Sequence, residues 1–146
     1  MPARGEEETW DVVYYRQVDG QTPAIDFLDG CPIKLQARFD AVLDDVSAAP
    51  PPRYSGGGRW EAMHGDMGGF YEVRVQGPNR EQFRLFCILD NGSPQQLRDR
   101  GLTRPAIAVI TGMRKPFMTV FDERDYARVR RLGDDYRAQL PRRIKT

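Results

Sequence analysis

Arg74 and Arg84 are the residues whose types and spacing suggest chemistry. They lie in the stretch 70–90, FYEVRVQGPNREQFRLFCILD, where two runs of alternating apolar and polar residues flank Gly77-Pro78-Asn79-Arg80-Glu81. Such a pattern predicts two antiparallel strands joined by a loop. With Gln76 facing Gln82, Val75 faces Phe83, Val73 faces Leu85 and Tyr71 faces Cys87, giving one continuous apolar face. A one-residue slip would send one strand's apolar set to the wrong side, so burial enforces this register. The other face then sets Arg74 opposite Arg84 and Glu72 opposite Phe86. Like charges directly opposite cost stability unless an anion lies between them. Two readings stay open. Glu72 or another carboxylate neutralises the arginines on a solvated face, or the planar guanidinium forks hold a phosphate.

The elements that position this pair can be laid out along the chain. Residues 1–9 read as a flexible acidic leader, residues 10–140 as one domain and residues 141–146 as a basic tail. Residues 10–17, WDVVYYRQ, are β-branched and aromatic and predict a first strand. Thr22-Pro23 starts a short helix over 24–29, closed by Gly30. Pro32 opens a second helix, with Leu35, Phe39, Val42, Leu43 and Val46 on one stripe, ending before Pro50-Pro51-Pro52. Residues 50–58 form a loop, and residues 59–69 lead into the hairpin. Residues 91–105 form a long polar loop. Residues 106–111, AIAVIT, predict a central strand covered on both faces, ended by Gly112-Met113-Arg114-Lys115-Pro116. Residues 119–140 read as the last helix, with Thr119 and Asp122 as a capping box and Val129, Leu132, Tyr136 and Leu140 as its stripe. The expected order is β-α-α-β-β-β-α, an α+β fold with a mostly antiparallel twisted sheet. The two N-terminal helices pack on one face of it.

Composition limits the function classes. The chain has 146 residues, is 40% hydrophobic and carries a net charge of +1. Residues 1–58 hold five Lys/Arg against ten Asp/Glu, and the remaining residues hold seventeen against eleven. The basic residues therefore concentrate in the C-terminal part, which permits a polyanion-binding face. No apolar run approaches a membrane span, and the acidic start does not read as a signal peptide, so a cytoplasmic protein is expected. Cys31 and Cys87 are expected as free thiols. One histidine and two isolated cysteines give no zinc spacing, and no cofactor is expected.

Four short motifs, in this order, resemble the RelE/HigB superfamily of bacterial toxins, and its phage-derived HigB-like branch in particular. They are His64-Gly65-Asp66-Met67, Tyr71-Glu72-Val73-Arg74, Phe83-Arg84-Leu85-Phe86 and Ile110-Thr111-Gly112-Met113-Arg114-Lys115. The likeness spans residues 59–137 by motif and the rest by element order. Met113 stands where relatives often carry an aromatic residue, Pro116 replaces the second lysine of a frequent Lys-Lys pair, and His64 stands where Lys or Arg is frequent. The resemblance implies a RelE-like fold and the toxin half of a toxin–antitoxin pair. It implies metal-independent, ribosome-dependent cleavage of mRNA through the RNA's own 2′-hydroxyl.

Such chemistry asks for a group that takes the 2′-proton, charge stabilisation at the phosphorane and a proton for the 5′-oxygen. On the resemblance, Arg74 and Arg84 hold the scissile phosphate, and Lys115 is a second phosphate contact or an acid/base. His64 is the candidate for proton transfer, with a turn residue as its alternative. Arg114 and Arg59 contact RNA backbone, and Tyr54 stacks on a base. Glu72 either takes a catalytic role or pairs with Arg84 and orients it, Tyr71 is core, and Tyr126 and Tyr136 pack their helix. The partners implied are a small helix-turn-helix antitoxin and mRNA on the ribosome. A gyrase-type poison and a phage-borne host-factor binder of the same fold are the competing readings.

Overall fold

The computed structural model describes residues 9–50 and 58–146; the leader expected at 1–9 falls almost wholly outside them. The fold is α+β. Among the described residues it has four α-helices and one open six-stranded sheet of order β2-β3-β4-β5-β1-β6. The strands are β1 (Asp11–Tyr15), β2 (Trp60–Ala62), β3 (Phe70–Gln76), β4 (Gln82–Asp90), β5 (Ala106–Lys115) and β6 (Ile144–Lys145). The helices are α1 (Pro23–Asp29), α2 (Ile33–Ala48), α3 (Pro94–Asp99) and α4 (Glu123–Ala138). Only β1 and β5 pair in parallel; every other pairing is antiparallel.

Alternation along the strands builds two cores, one on each face of the sheet. Val73, Val75, Phe83, Leu85 and Cys87 meet Leu28 of α1 and Leu35, Phe39, Val42, Leu43 and Val46 of α2. Phe70, Phe86, Ile88, Ala108 and Ile110 meet Val129, Leu132 and Tyr136 of α4. The predicted stripe of α2 is buried at all five positions. Helix α4 comes so close that a Cβ on Gly133 would lie 2.5 Å from the Phe70 ring.

The β3–β4 register is the predicted one throughout, from Gln76 opposite Gln82 to Tyr71 opposite Cys87, with Arg74 opposite Arg84 and Glu72 opposite Phe86. Elsewhere the structure corrects the reading. Residues 59–69 are more than a lead-in, since β2 pairs with β3 at the sheet edge. The polar loop at 91–105 contains α3, which Ser93 and Gln96 close with a capping box. Strand β5 continues through Gly112 to Lys115, because Gly112 leaves room for Phe27 of α1; a Cβ there would lie 2.2 Å from that ring. The last helix begins at Glu123, not Thr119, because Asp122 is its N-cap and Asp125 completes the capping box. Residues 141–146, expected as a tail, supply β6, which pairs with β1. Both cysteines are free and buried. No described helix is long and apolar enough to cross a membrane.

Candidate functional site

Strand alternation carries Glu72, Arg74 and Gln76 of β3 and Gln82 and Arg84 of β4 onto the same face as Phe70 and Phe86. Helix α4 covers the apolar end of that face. Phe121 and Tyr126 meet Phe86 edge-on at 6.5 and 6.2 Å. Beyond them, toward the hairpin loop, the face is polar and open.

One irregularity decides which basic residues of β5 join it. The β4–β5 register shifts between Phe86 and Cys87, so that Thr111 faces Phe86 while Val109 faces Cys87. Ile110 is the extra residue of this bulge. Past it the alternation is reversed, so Met113 lies opposite Arg84 and Lys115 opposite Gln82, on the open face. Arg114 is opposite Phe83 and points to the other side. Its guanidinium lies 5.2 Å from the Phe83 ring centroid and donates to Glu81 at 2.6 Å. The expected contact of Arg114 with the same RNA backbone is therefore not supported by its placement.

The two facing arginines differ in their partners. Arg74 is about half exposed, and its guanidinium pairs with the buried Glu72 carboxylate at 2.6 Å. Glu72 thus holds Arg74, not Arg84 as the sequence suggested. Arg84 is half-buried and donates only to neutral oxygens, Phe83 O at 3.0 Å and Gln82 Oε1 at 3.2 Å. No described carboxylate forms an ion pair with it. Burial lowers the Arg84 pKa below its ordinary value; Glu72 opposes the shift and Arg74 adds to it. A cation that is partly desolvated and short of negative charge favours an incoming anion. The Phe121 ring lies beneath it at 5.9 Å.

Two groups to which sequence reading gave no part in the chemistry share this field. The Tyr126 hydroxyl has its pKa raised by burial and by Glu72, with Arg84 and Arg74 opposing. It therefore stays protonated. Asp125 pairs with Lys115 at 3.2 Å, so this lysine is already engaged. Helical spacing offered Tyr126 as packing the last helix, which its contacts with Phe86 and Phe121 bear out, and Asp125 only as a residue of that helix.

The remaining predicted residues lie apart. His64 is exposed and precedes the short 3-10 turn Gly65–Met67. The neighbouring Met63 N–H donates to Phe70 O, which sets His64 beside the start of β3. Arg74 is four residues further along, about 13 Å at ~3.3 Å per residue. The structure does not bring His64 to the arginine pair, and its position is that of the turn residue. Arg59 O accepts from Arg74 N–H at 2.9 Å, and the exposed Arg59 side chain has no ion-pair partner among the described residues. Tyr54 lies outside the described residues. Tyr71 stacks on Trp60 at 5.0 Å and packs against the α1/α2 core as expected. Among the described residues no group of three His, Cys, Asp or Glu side chains is gathered as metal ligands would be.

No family model, no curated protein and no solved structure matches this chain.

Proposed function

We propose that this protein is a toxin of the RelE/HigB kind that cuts mRNA on the ribosome, using the RNA's own 2′-hydroxyl as nucleophile. The observation that carries the reading is Arg84, half-buried beside Arg74 on an open sheet face and bonded only to neutral oxygens. A scissile phosphate at Arg84 completes the charge balance of this face. Its developing transition-state charge then meets a preorganised guanidinium in a partly desolvated setting. Proton handling falls to the groups beside Arg84 and not to His64. Glu72 is the carboxylate within electrostatic reach of it, and the protonated Tyr126 hydroxyl shares the field of both arginines. The partner in this reading is an antitoxin that covers the open face.

The test is induction in a bacterial host, with growth and mRNA 5′ ends followed. The wild type is expected to arrest growth and to produce new in-frame cuts. Arg84→Ala is expected to lose cleavage by about 10²–10³-fold while unfolding at the wild-type temperature. Retained cleavage in a folded Arg84→Ala protein would remove the phosphate site from this face.

The paired state of the neighbouring cations favours a second reading. Glu72 neutralises Arg74 and Asp125 neutralises Lys115, as a face built for protein binding and not for cleavage would allow. On that reading the chain is a gyrase-type poison or a host-factor binder. Growth arrest without cuts, accompanied by supercoiling defects, identifies the first of these.

A further inference from the structure

The connection between β5 and α4 exposes apolar side chains beside Arg84. Phe117 is 47% exposed, and Met118 and Val120 are each 81% exposed. Phe117 and Met118 join Gln76, Arg80, Gln82 and Arg84 in lining a cavity of about 310 Å³. No acidic side chain lines it. The Arg80 guanidinium lies over the Phe117 ring, 5.2 Å from its centroid, so one wall is an aromatic ring with a planar cation stacked on it. Gln82 Nε2 donates to Thr119 O at 2.7 Å, which fastens this loop to the sheet. The Gln76 side-chain amide has no hydrogen-bond partner among the described residues, although its backbone carbonyl accepts from Arg38. Arg80 and Met118 also adopt positive φ angles, 59° and 67°. That region is disfavoured for residues with a Cβ, so the cavity walls are held in shape against local preference.

We propose that this cavity is a nucleobase subsite for single-stranded RNA, adjoining the phosphate position at Arg84. The Phe117 ring and the Arg80 guanidinium over it together supply the stacking wall. The free Gln76 amide, with a donor and an acceptor, meets the base edge. Arg84 holds the flanking phosphate. Single-stranded RNA offers the three features that the walls ask for: an apolar π-face, an edge of donors and acceptors, and a negative charge one linkage away. An acidic peptide would pair with the two arginines, but it offers neither a nucleobase π-face for the stacking wall nor a base edge for the Gln76 amide. The choice of RNA as occupant rests on the function proposed above.

The test uses short 2′-O-methyl oligonucleotides, which cannot be cut, of all-A, all-C, all-G and all-U sequence. Binding is followed by fluorescence anisotropy over a range of salt. Phe117→Ala is expected to weaken binding by about tenfold for the preferred base with the salt slope unchanged, because a stacked base releases no counterion. Phe117→Trp is expected to retain affinity. Arg84→Ala is expected to lower the slope by about 0.7, one phosphate's worth on a single strand. Gln76→Ala is expected to narrow the differences between the four oligomers. Phe117 is half-exposed, so a wild-type melting temperature in Phe117→Ala is expected and separates binding from folding. Unchanged affinity and base preference in that variant would overturn the subsite, as would tight wild-type binding to a protein partner with none to any oligomer. Cleavage is decided independently by the 5′-end map. Phe117-dependent binding without cuts leaves the subsite and removes the nuclease. Cuts that Phe117→Ala leaves unaltered in rate and sequence remove the subsite and leave the nuclease.

Discussion

At the scale of single residues, the informative contrast is between two arginines that the sequence presents as equals. Their opposition was legible because burial of one strand face fixes the register, and register fixes what stands opposite what. Their partners were not legible. Alternation puts Glu72 on the same face as both arginines, and the side chains then settle the pairing as Glu72 with Arg74. That leaves Arg84 with neutral partners and makes it the stronger anion site. On the proposed function, Glu72 competes with an incoming phosphate for Arg74. Glu72→Gln keeps the size and removes the charge. It is expected to tighten binding of an uncut RNA oligomer and to steepen the salt slope by about 0.7, as Arg74 becomes available to a second phosphate. An unchanged or shallower slope would show that Arg74 takes no part in phosphate binding. The histidine illustrates the opposite failure. Its residue type suits proton transfer, but residue type carries no information on where the chain places it, and β2 carries it toward the start of β3, away from Arg74 and Arg84.

At the scale of elements, long periodic segments were legible and local departures from periodicity were not. The α2 stripe and the β3–β4 hairpin follow their periods without interruption. Strand β5 does not, because the bulge at Ile110 reverses its alternation and exchanges the faces of Arg114 and Lys115. Nothing in the run AIAVITGMRK marks the bulge, since the apolar residues before it are buried on both faces. The short strands β2 and β6 escaped for a related reason: two or three residues are too few to show a period. Gly112, read as a strand end, is instead the point where α1 presses on the sheet. Gly112→Ala is expected to destabilise the fold by roughly 1–3 kcal/mol through overpacking against Phe27, measured by chemical denaturation. Combining it with Phe27→Leu, which shortens the opposing side chain, is expected to recover part of the loss. A Gly112→Ala protein of wild-type stability would mean that α1 does not press on the strand as closely as the packing indicates.

At the scale of the whole molecule, the open face depends on how the chain's C-terminal part is tied back to the sheet. Asp90, at the end of β4, is buried. It accepts from Tyr136 Oη at 2.6 Å, from Arg142 Nε at 3.0 Å and from Arg100 Nη1 at 2.7 Å. One carboxylate thereby joins the hairpin strand, α4, the residue that follows α3 and the segment leading to β6. A second tie runs from Asp135 of α4 to Tyr15 of β1 and Arg143. Together these hold α4 across one end of its sheet face, which leaves the other end, with Arg84, uncovered. This network was not legible in the sequence, because its members are scattered from residue 15 to residue 143; Asp90, Arg100, Asp135, Arg142 and Arg143 each read as an ordinary surface charge, and Tyr136 only as part of the helix stripe. Asp90→Ala leaves Arg142, which is 7% exposed, without its carboxylate and Tyr136 without its acceptor. Breaking a buried pair by removing one partner costs about 3–5 kcal/mol. A loss of that size is expected in denaturant unfolding, with added protease sensitivity near residues 141–146 as β6 detaches from β1. Asp90→Asn keeps one acceptor for Tyr136 and is expected to lose less. If Asp90→Ala unfolds with the wild-type midpoint, the C-terminal segment is held by β6 pairing and the Asp135 tie alone, and the position of α4 over the sheet does not depend on the buried carboxylate.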